Sequence, residues 1–470
     1  MSLTQTYLLQ NQANHLAKLQ QYLQQPSISA TGLGINECAQ LLANYYHTLG
    51  CQEVEIIPTP GHPAVWAYYD AGAPTTIAVY GMYDVQPVAN QPWTHDPFSA
   101  ALVPQHPFPQ VVIARGAYNS KGTYRLFLNA LETIIAAHGQ LPVNIMFLSE
   151  GEEEIGSPHF PQVVAQYHDR LQQASLLLDI EASQNKEGNI IVKLGNKGVV
   201  YAELIADAAT AGYGPQHTPL HSSHKSIVDS PALRLIQALS TLTTPDGNHV
   251  TIPGFYDDVC PPSAADHALF TEFAPNFDPK IYADLWNVPR WSHNLTGHDW
   301  LNQYLFQPSL NINNLIAGDT SGATLTIIPH QARAAIDIRL VPNMNPTTVI
   351  NQLRYHLDHH GFTDITINTR VAYDWNKTDP QAPAVTALRH VYDQYGYPYE
   401  ILPFSAGSQP LYLFNKPPLN LPMIRFSLGH GARNHAADEY LVIDGAGHVA
   451  DMLTIEQAFI DLLFQLSQLT

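Results

Sequence analysis

Leu16, Leu19 and Leu23 recur at three- and four-residue spacing near the start of the chain, which predicts one apolar stripe on a helix, and Pro26 ends that pattern. From about Val54 to Val199 short apolar runs alternate with helical stretches. Thr76-Ile-Ala-Val-Tyr80 and Val143-Asn-Ile-Met-Phe-Leu148 read as buried strands, and Lys121 to Ala137 between them reads as a crossover helix. Such alternation predicts a largely parallel sheet with helices on both faces. After Lys197 the texture changes. Val199 to Ile205 alternates between apolar and polar, a helix is expected near Pro231–Leu242, and Ala334 to Leu340 gives another strand. A helix near Pro346–His359 and a strand near Asp364–Val371 complete a small α+β insert. Gly, Pro, Asn and Asp cluster from Thr244 to Pro289, which predicts a long loop region. From about Ala382 the helix–strand alternation returns. The expected fold class is therefore α/β: a mixed, mostly parallel sheet domain formed by residues 1–196 and 373–470, interrupted by a smaller α+β domain at 197–372.

Length agrees with that division, since 470 residues exceed one ordinary core and suffice for two. No stretch approaches the roughly 18–20 apolar residues of a membrane span. The N-terminus is polar and Gln-rich rather than basic and then apolar, so no secretory leader is expected. Cys38, Cys51 and Cys260 form an odd, sparse set without a CxxC spacing, which suggests a reducing compartment. A formal charge of −19 disfavours nucleic acid and anionic membrane as partners. The expected location is the cytoplasm.

Candidate chemistry gathers where strands end. Glu150, Glu152, Glu153 and Glu154 follow the run Val143–Leu148 directly and are bracketed by Gly151 and Gly156. Ligands of open α/β sheets collect at such strand ends. Carboxylates this close repel one another unless a cation is present. A bare acidic run is usually a solvated loop before a helix, but this placement favours a metal-and-base site. There one carboxylate binds the ion and an uncoordinated neighbour takes a proton from water. Asp179 ends the apolar run Ser175-Leu-Leu-Leu178. His435 lies in a loop-like stretch with Gly429, Gly431, Asp438 and Glu439, as a candidate imidazole ligand.

Nine segments, in order, resemble the M20 metallopeptidases, and within them the carnosinase-like dipeptidases: Tyr80–Pro87, Trp93–Phe98, Arg115–Gly122, Glu150–Ser157, Leu220–Ser222, Ile252–Gly254, Arg339–Met344, Gly407–Pro410 and His435–Glu439. The resemblance implies a zinc-peptidase-like catalytic domain carrying a lid domain that usually mediates dimerisation, and a small peptide or N-acyl amino acid as substrate. It implies Glu153 as general base, and Glu154, Asp179 and His435 as metal ligands. Asp84 would orient the ligand two residues before it. His221, on the lid, would steady the oxyanion, although it lacks the glycines that usually follow the family's histidine. Arg339 would grip a substrate carboxylate in a pocket lined by Ser408 and Gly407; pairing with Asp337 and helix capping are the plainer alternatives for Arg339 and Ser408.

Two positions depart from that pattern, which pairs a histidine at 82 with a bridging aspartate at 119 to hold two divalent ions. Met82 offers a soft, neutral thioether. Asn119 can give a carbonyl oxygen but no charge. Two such ions ~3.5 Å apart repel by roughly 19 kcal/mol even at an effective dielectric near 20, and a bridging carboxylate normally offsets this. One ion is therefore expected, zinc first with Mn²⁺ or Co²⁺ as alternatives, bound by Glu154 and His435 with Asn119 or Asp179 assisting. Met82 is expected to fill the vacated space as packing, with substrate contact as the alternative. Three functions remain open at this point: a mononuclear peptide or N-acyl amide hydrolase, a non-catalytic peptide-binding pseudo-peptidase, and a mononuclear hydrolase of a non-peptide substrate, for example a deaminase.

Overall fold

A computed structural model describes residues 2–273, 278–280, 282–283, 287–319 and 325–469. The chain forms two compact units, one from Met1–Gly195, Lys377–Pro403 and Leu413–Thr470, the other from Asn196–Asn376 and Phe404–Tyr412.

The first unit is built on a six-stranded mixed sheet in the order Glu53–Ile57, Ala64–Tyr69, Asn144–Glu150, Thr76–Met82, Leu177–Ile180 and Met423–Phe426. The last four strands run parallel and the first two join antiparallel at one edge. Asn144–Glu150 is buried at every position, which is why its sequence reads as a continuous apolar run. The crossover helix spans Lys121–His138 and stops where Gly139 adopts a left-handed conformation and donates its N–H to Ile135. It packs against Leu3–Gln24 and Met452–Leu466. Leu3–Gln24 starts from a capping box between Ser2 and Gln5. Asp179 lies within its strand rather than just past it.

A second, antiparallel sheet of this unit was not legible in the apolar pattern. Its strands follow the order Gly431–Ala432, Tyr440–Asp444, Phe108–Ile113 and Ala101–Gln105. Phe108, Val111, Ile113, Tyr440, Val442 and Val449 form its small core. This sheet anchors both ends of the loop that carries His435.

The second unit is a four-stranded antiparallel sheet in the order Ser309–Ala317, Gln331–Leu340, Gly198–Asp207 and Thr366–Tyr373. Helices Pro231–Ser240 and Pro346–His359 pack against it, burying Leu235 and Leu353 with Val200, Leu204, Ile336 and Ile338. Burial alternates along Gly198–Asp207, as expected of a strand with one covered face. The expected loop from Thr244 to Pro289 instead contains the helix Ala264–Phe273. Ser263 and Asp266 start that helix by bonding each other's backbone N–H. Residues 274–277, 281 and 284–286 of the stretch lie outside the described residues. No helix among the described residues is long and apolar enough to cross a membrane.

Candidate active site

The carboxylate cluster is shaped by a tight turn at the end of Asn144–Glu150. Asp84, just past the Thr76–Met82 strand and fully buried, accepts the Glu153 N–H at 3.2 Å and the Glu154 N–H at 3.0 Å. Those bonds satisfy the first amides of the short helical turn Glu153–Ile155 and aim its side chains. Burial pushes the Asp84 carboxyl up to about 7, against the pull of its hydrogen bonds. Glu152 turns aside to His159 at 2.9 Å and accepts the His62 N–H, so its part is to hold the loop. Glu150 accepts the Tyr80 hydroxyl at 2.9 Å, while its second oxygen is buried without a partner. Burial, followed by the charges of Glu154, Asp84, Glu150 and Asp179, raises the Glu153 carboxyl well above the usual range. A raised carboxyl of this kind suits a proton acceptor.

Glu154 is the meeting point of one side of the site. Its carboxylate accepts from the Gln86 amide at 2.8 Å and from the Asn119 amide at 2.7 Å, and lies 3.3 Å from His435 Nε2. The Asn119 amide is also 3.1 Å from His435 Nε2. The hydrogen bond that the His435 ring donates to Glu154 raises the His435 pKa. Glu439 fixes this arrangement from behind. One of its oxygens accepts the Tyr118 and Asn119 N–H groups at 3.0 and 2.8 Å, and the other pairs with buried Arg115 at 2.8 Å. Arg115 in turn holds Gln91, whose amide donates to the His435 carbonyl at 3.1 Å. Carboxylate, imidazole and side-chain amide thus converge on one point, and a half-turn of the Asn119 amide presents its carbonyl oxygen there. The donor set fits one divalent ion. Among the described residues no three His, Cys, Asp or Glu side chains form a metal-binding group.

Beyond the Thr76–Met82 strand the sheet order continues with the strand of Asp179 and then that of Arg425. Met82 is buried at 4% exposure. Asp179, whose charge reaches Glu153, accepts a 2.6 Å bond from Nε of Arg425, and the two side chains are 5% and 1% exposed. Glu181 lies 3.4 Å from the same nitrogen. A divalent ion about 4 Å from that guanidinium would be repelled by roughly 8 kcal/mol at an effective dielectric near 20. Neutral residues at 82 and 119 and the engagement of Asp179 by Arg425 leave this side without a free carboxylate among these three positions.

His221, Arg339, Gly407 and Ser408 belong to the second unit. His221 Nδ1 accepts the Ser223 N–H at 3.2 Å, which leaves the ring proton on Nε2, 3.0 Å from the Thr326 hydroxyl. Arg339 pairs with Asp337 at 3.0 Å and also donates to the Ser408 hydroxyl at 2.9 Å, and it stays one-third exposed. The Gly407 N–H bonds Ser405 Oγ at 3.1 Å. Three residues that shape the site were not singled out from the sequence: Gln86, Glu439 and Arg425. Gln86 and Glu439 lie inside the matching segments and could have been found there; Arg425 had no local signal.

The model for "Peptidase family M20/M25/M40" matches residues 78–457. Among curated proteins the chain is 28% identical to a Beta-Ala-His dipeptidase of Mus musculus over 289 residues, 60% of this chain and 55% of that protein. It is 24% identical to a Cys-Gly metallodipeptidase DUG1 of Candida albicans over 366 residues, 73% and 72% of the two chains. The chain therefore spans little more than half the length of the mouse relative it matches. Among solved structures it is similar to an M20 family metallo-carboxypeptidase, Sso-CP2, from Sulfolobus solfataricus, with a TM-score of 0.85 and 30% identity over 97% of this chain and 99% of that one. A family model that spans both halves of the first unit, together with this likeness along the whole length, leads to one conclusion: the chain belongs to peptidase family M20/M25/M40.

Proposed function

We propose that the protein is a hydrolase of a peptide or N-acyl amide bond in a small peptide-like substrate, working with one divalent ion and with Glu153 as general base. The observation that carries this reading is the convergence of Glu154, His435 and Asn119 beside a Glu153 whose carboxyl is raised by burial and by its acidic neighbours. M20 metallopeptidases use divalent ions, and zinc is the first candidate here, with Mn²⁺ or Co²⁺ as alternatives. Such an ion would supply Lewis-acid activation at this point. Glu153 takes the proton of the attacking water and returns it to the leaving nitrogen. Asp84 keeps the Glu153–Glu154 turn in shape. His221, with its ring proton on Nε2, is the proposed oxyanion donor. Arg339 and Ser408, beside Gly407, are the proposed anchor for a substrate carboxylate. The second unit is the proposed lid and homodimer surface, supported by its edge strand Ser309–Ala317, on which Ile312, Leu315 and Ile316 are 44–49% exposed. The proposed boundaries are 1–196, 197–372 and 373–470, with residues up to Asn376 and the segment Phe404–Tyr412 grouped with the second unit, and the proposed location is the cytoplasm.

A hydrolysis screen of dipeptides and N-acyl amino acids, run on the wild type and Glu153→Gln, tests this. The reading fails if no substrate turns over faster in the wild type. Binding without turnover would support a peptide-binding role, a reading favoured by the engagement of Asp179 by Arg425 and the neutral residues at 82 and 119.

A further inference from the structure

Two strands along the sheet from that of Met82, Arg425 supplies a full positive charge. Arg425 lies on Met423–Phe426 in register with Asp179 on the neighbouring parallel strand. It is 1% exposed, donates from Nε to Asp179 at 2.6 Å and reaches within 3.4 Å of Glu181. A guanidinium does not lose its proton in a folded protein, so this charge is permanent. Its planar fork matches carboxylates in a way that a lysine would not.

We propose that Arg425 is a built-in substitute for a metal ion: it engages Asp179 in the ion's place and excludes an ion from that position. The inference rests on the one-metal reading above. It explains why Asp179 persists although Met82 and Asn119 cannot help it bind metal. A purely structural pairing of two adjacent strands would hold Asp179 equally well but would have no influence on how many ions the chain takes up.

The test counts zinc per chain in three full-length proteins, after equilibration with excess zinc and removal of the unbound ion. They are the wild type, Met82→His/Asn119→Asp, and that double variant with Arg425→Met added. The expected counts are one, one and two. Two ions in the double variant with Arg425 intact, beside one in the wild type, would overturn the role of Arg425 and leave the one-metal reading standing. Two ions in the wild type would overturn both. One ion in a folded triple variant would also overturn the proposal, because removing the guanidinium would not have opened the position. Arg425→Met strips buried Asp179 of its partner and endangers folding. The double variant keeps the test decisive if the triple variant does not fold, since it alone must stay at one ion.

Discussion

The Asn119–Glu154–His435 side of the site and the Met82–Asp179–Arg425 side share one architecture, acidic residues at or just beyond the ends of parallel strands, yet their carboxylates are satisfied in opposite ways. Glu154 is held by two neutral amides and an imidazole whose side chain is 52% exposed. Asp179 is held by a guanidinium that is 1% exposed. A carboxylate held by neutral donors can turn to a cation at the cost of hydrogen bonds that rearrange. A carboxylate paired with a buried guanidinium cannot, because release would leave that charge buried and uncompensated. The difference teaches that ligand identity alone does not decide occupancy. The same functional group, a carboxylate, is held by neutral amides and an imidazole on one side and by a buried guanidinium on the other.

The largest effect expected from breaking this comparison is on chemistry. Glu153→Gln should lower kcat/KM by about a thousandfold, within the span that loss of a general base produces. Zinc content should stay unchanged, since Glu153 is not placed among the ligands; a parallel loss of zinc would move it into the donor set. Next comes stability on the committed side. Asp179→Asn leaves the guanidinium with Glu181 as a weaker partner, and chemical denaturation should read a loss of about 3 kcal/mol, the low end for a broken buried pair. Adding Arg425→Met to Asp179→Asn should recover most of it.

A third effect distinguishes the open side by pH. The Glu154 hydrogen bond raises the His435 pKa above its ordinary 6.5. In the metal-free protein that pair contributes stability fully present below the unfolded pKa and lost as pH rises through the raised folded value. Zinc needs the neutral imidazole, so its affinity runs the other way. It should be full above the raised pKa and fall about tenfold per pH unit below it, as read by zinc titration between about pH 5 and 8. An affinity flat across that range would remove His435 from the ligands. The smallest expected effect is at Met82. Met82→Leu should cost less than about 1.5 kcal/mol by thermal melting and leave the zinc count alone, because a thioether that packs is replaceable by a similar volume.

Much of this was legible in the sequence, for local reasons. Thr76–Met82 and Asn144–Glu150 are buried at nearly every position, and continuous apolar runs announce that directly. The acidic turn after Glu150 was legible because the strand before it was. Ser309–Ala317 escaped because Asn311, Asn313 and Asn314 break its pattern and its residues are largely exposed. Helix Ala264–Phe273 hid among turn-forming residues. The antiparallel sheet around His435 joins Phe108–Ile113 to Tyr440–Asp444, a pairing across more than 300 residues that no local window contains. Arg425 was missed for the same physical reason. Within Met-Ile-Arg-Phe a lone basic residue reads as the solvent face of a strand. Only pairing with Leu177–Ile180, far away in sequence, turns it toward Asp179.

The central claim is that one side of this site accepts an ion and the other does not. Elemental analysis of purified wild-type chain, saturated with zinc and freed of unbound metal, tests it most directly. The account expects one ion per chain; two ions per chain would contradict it.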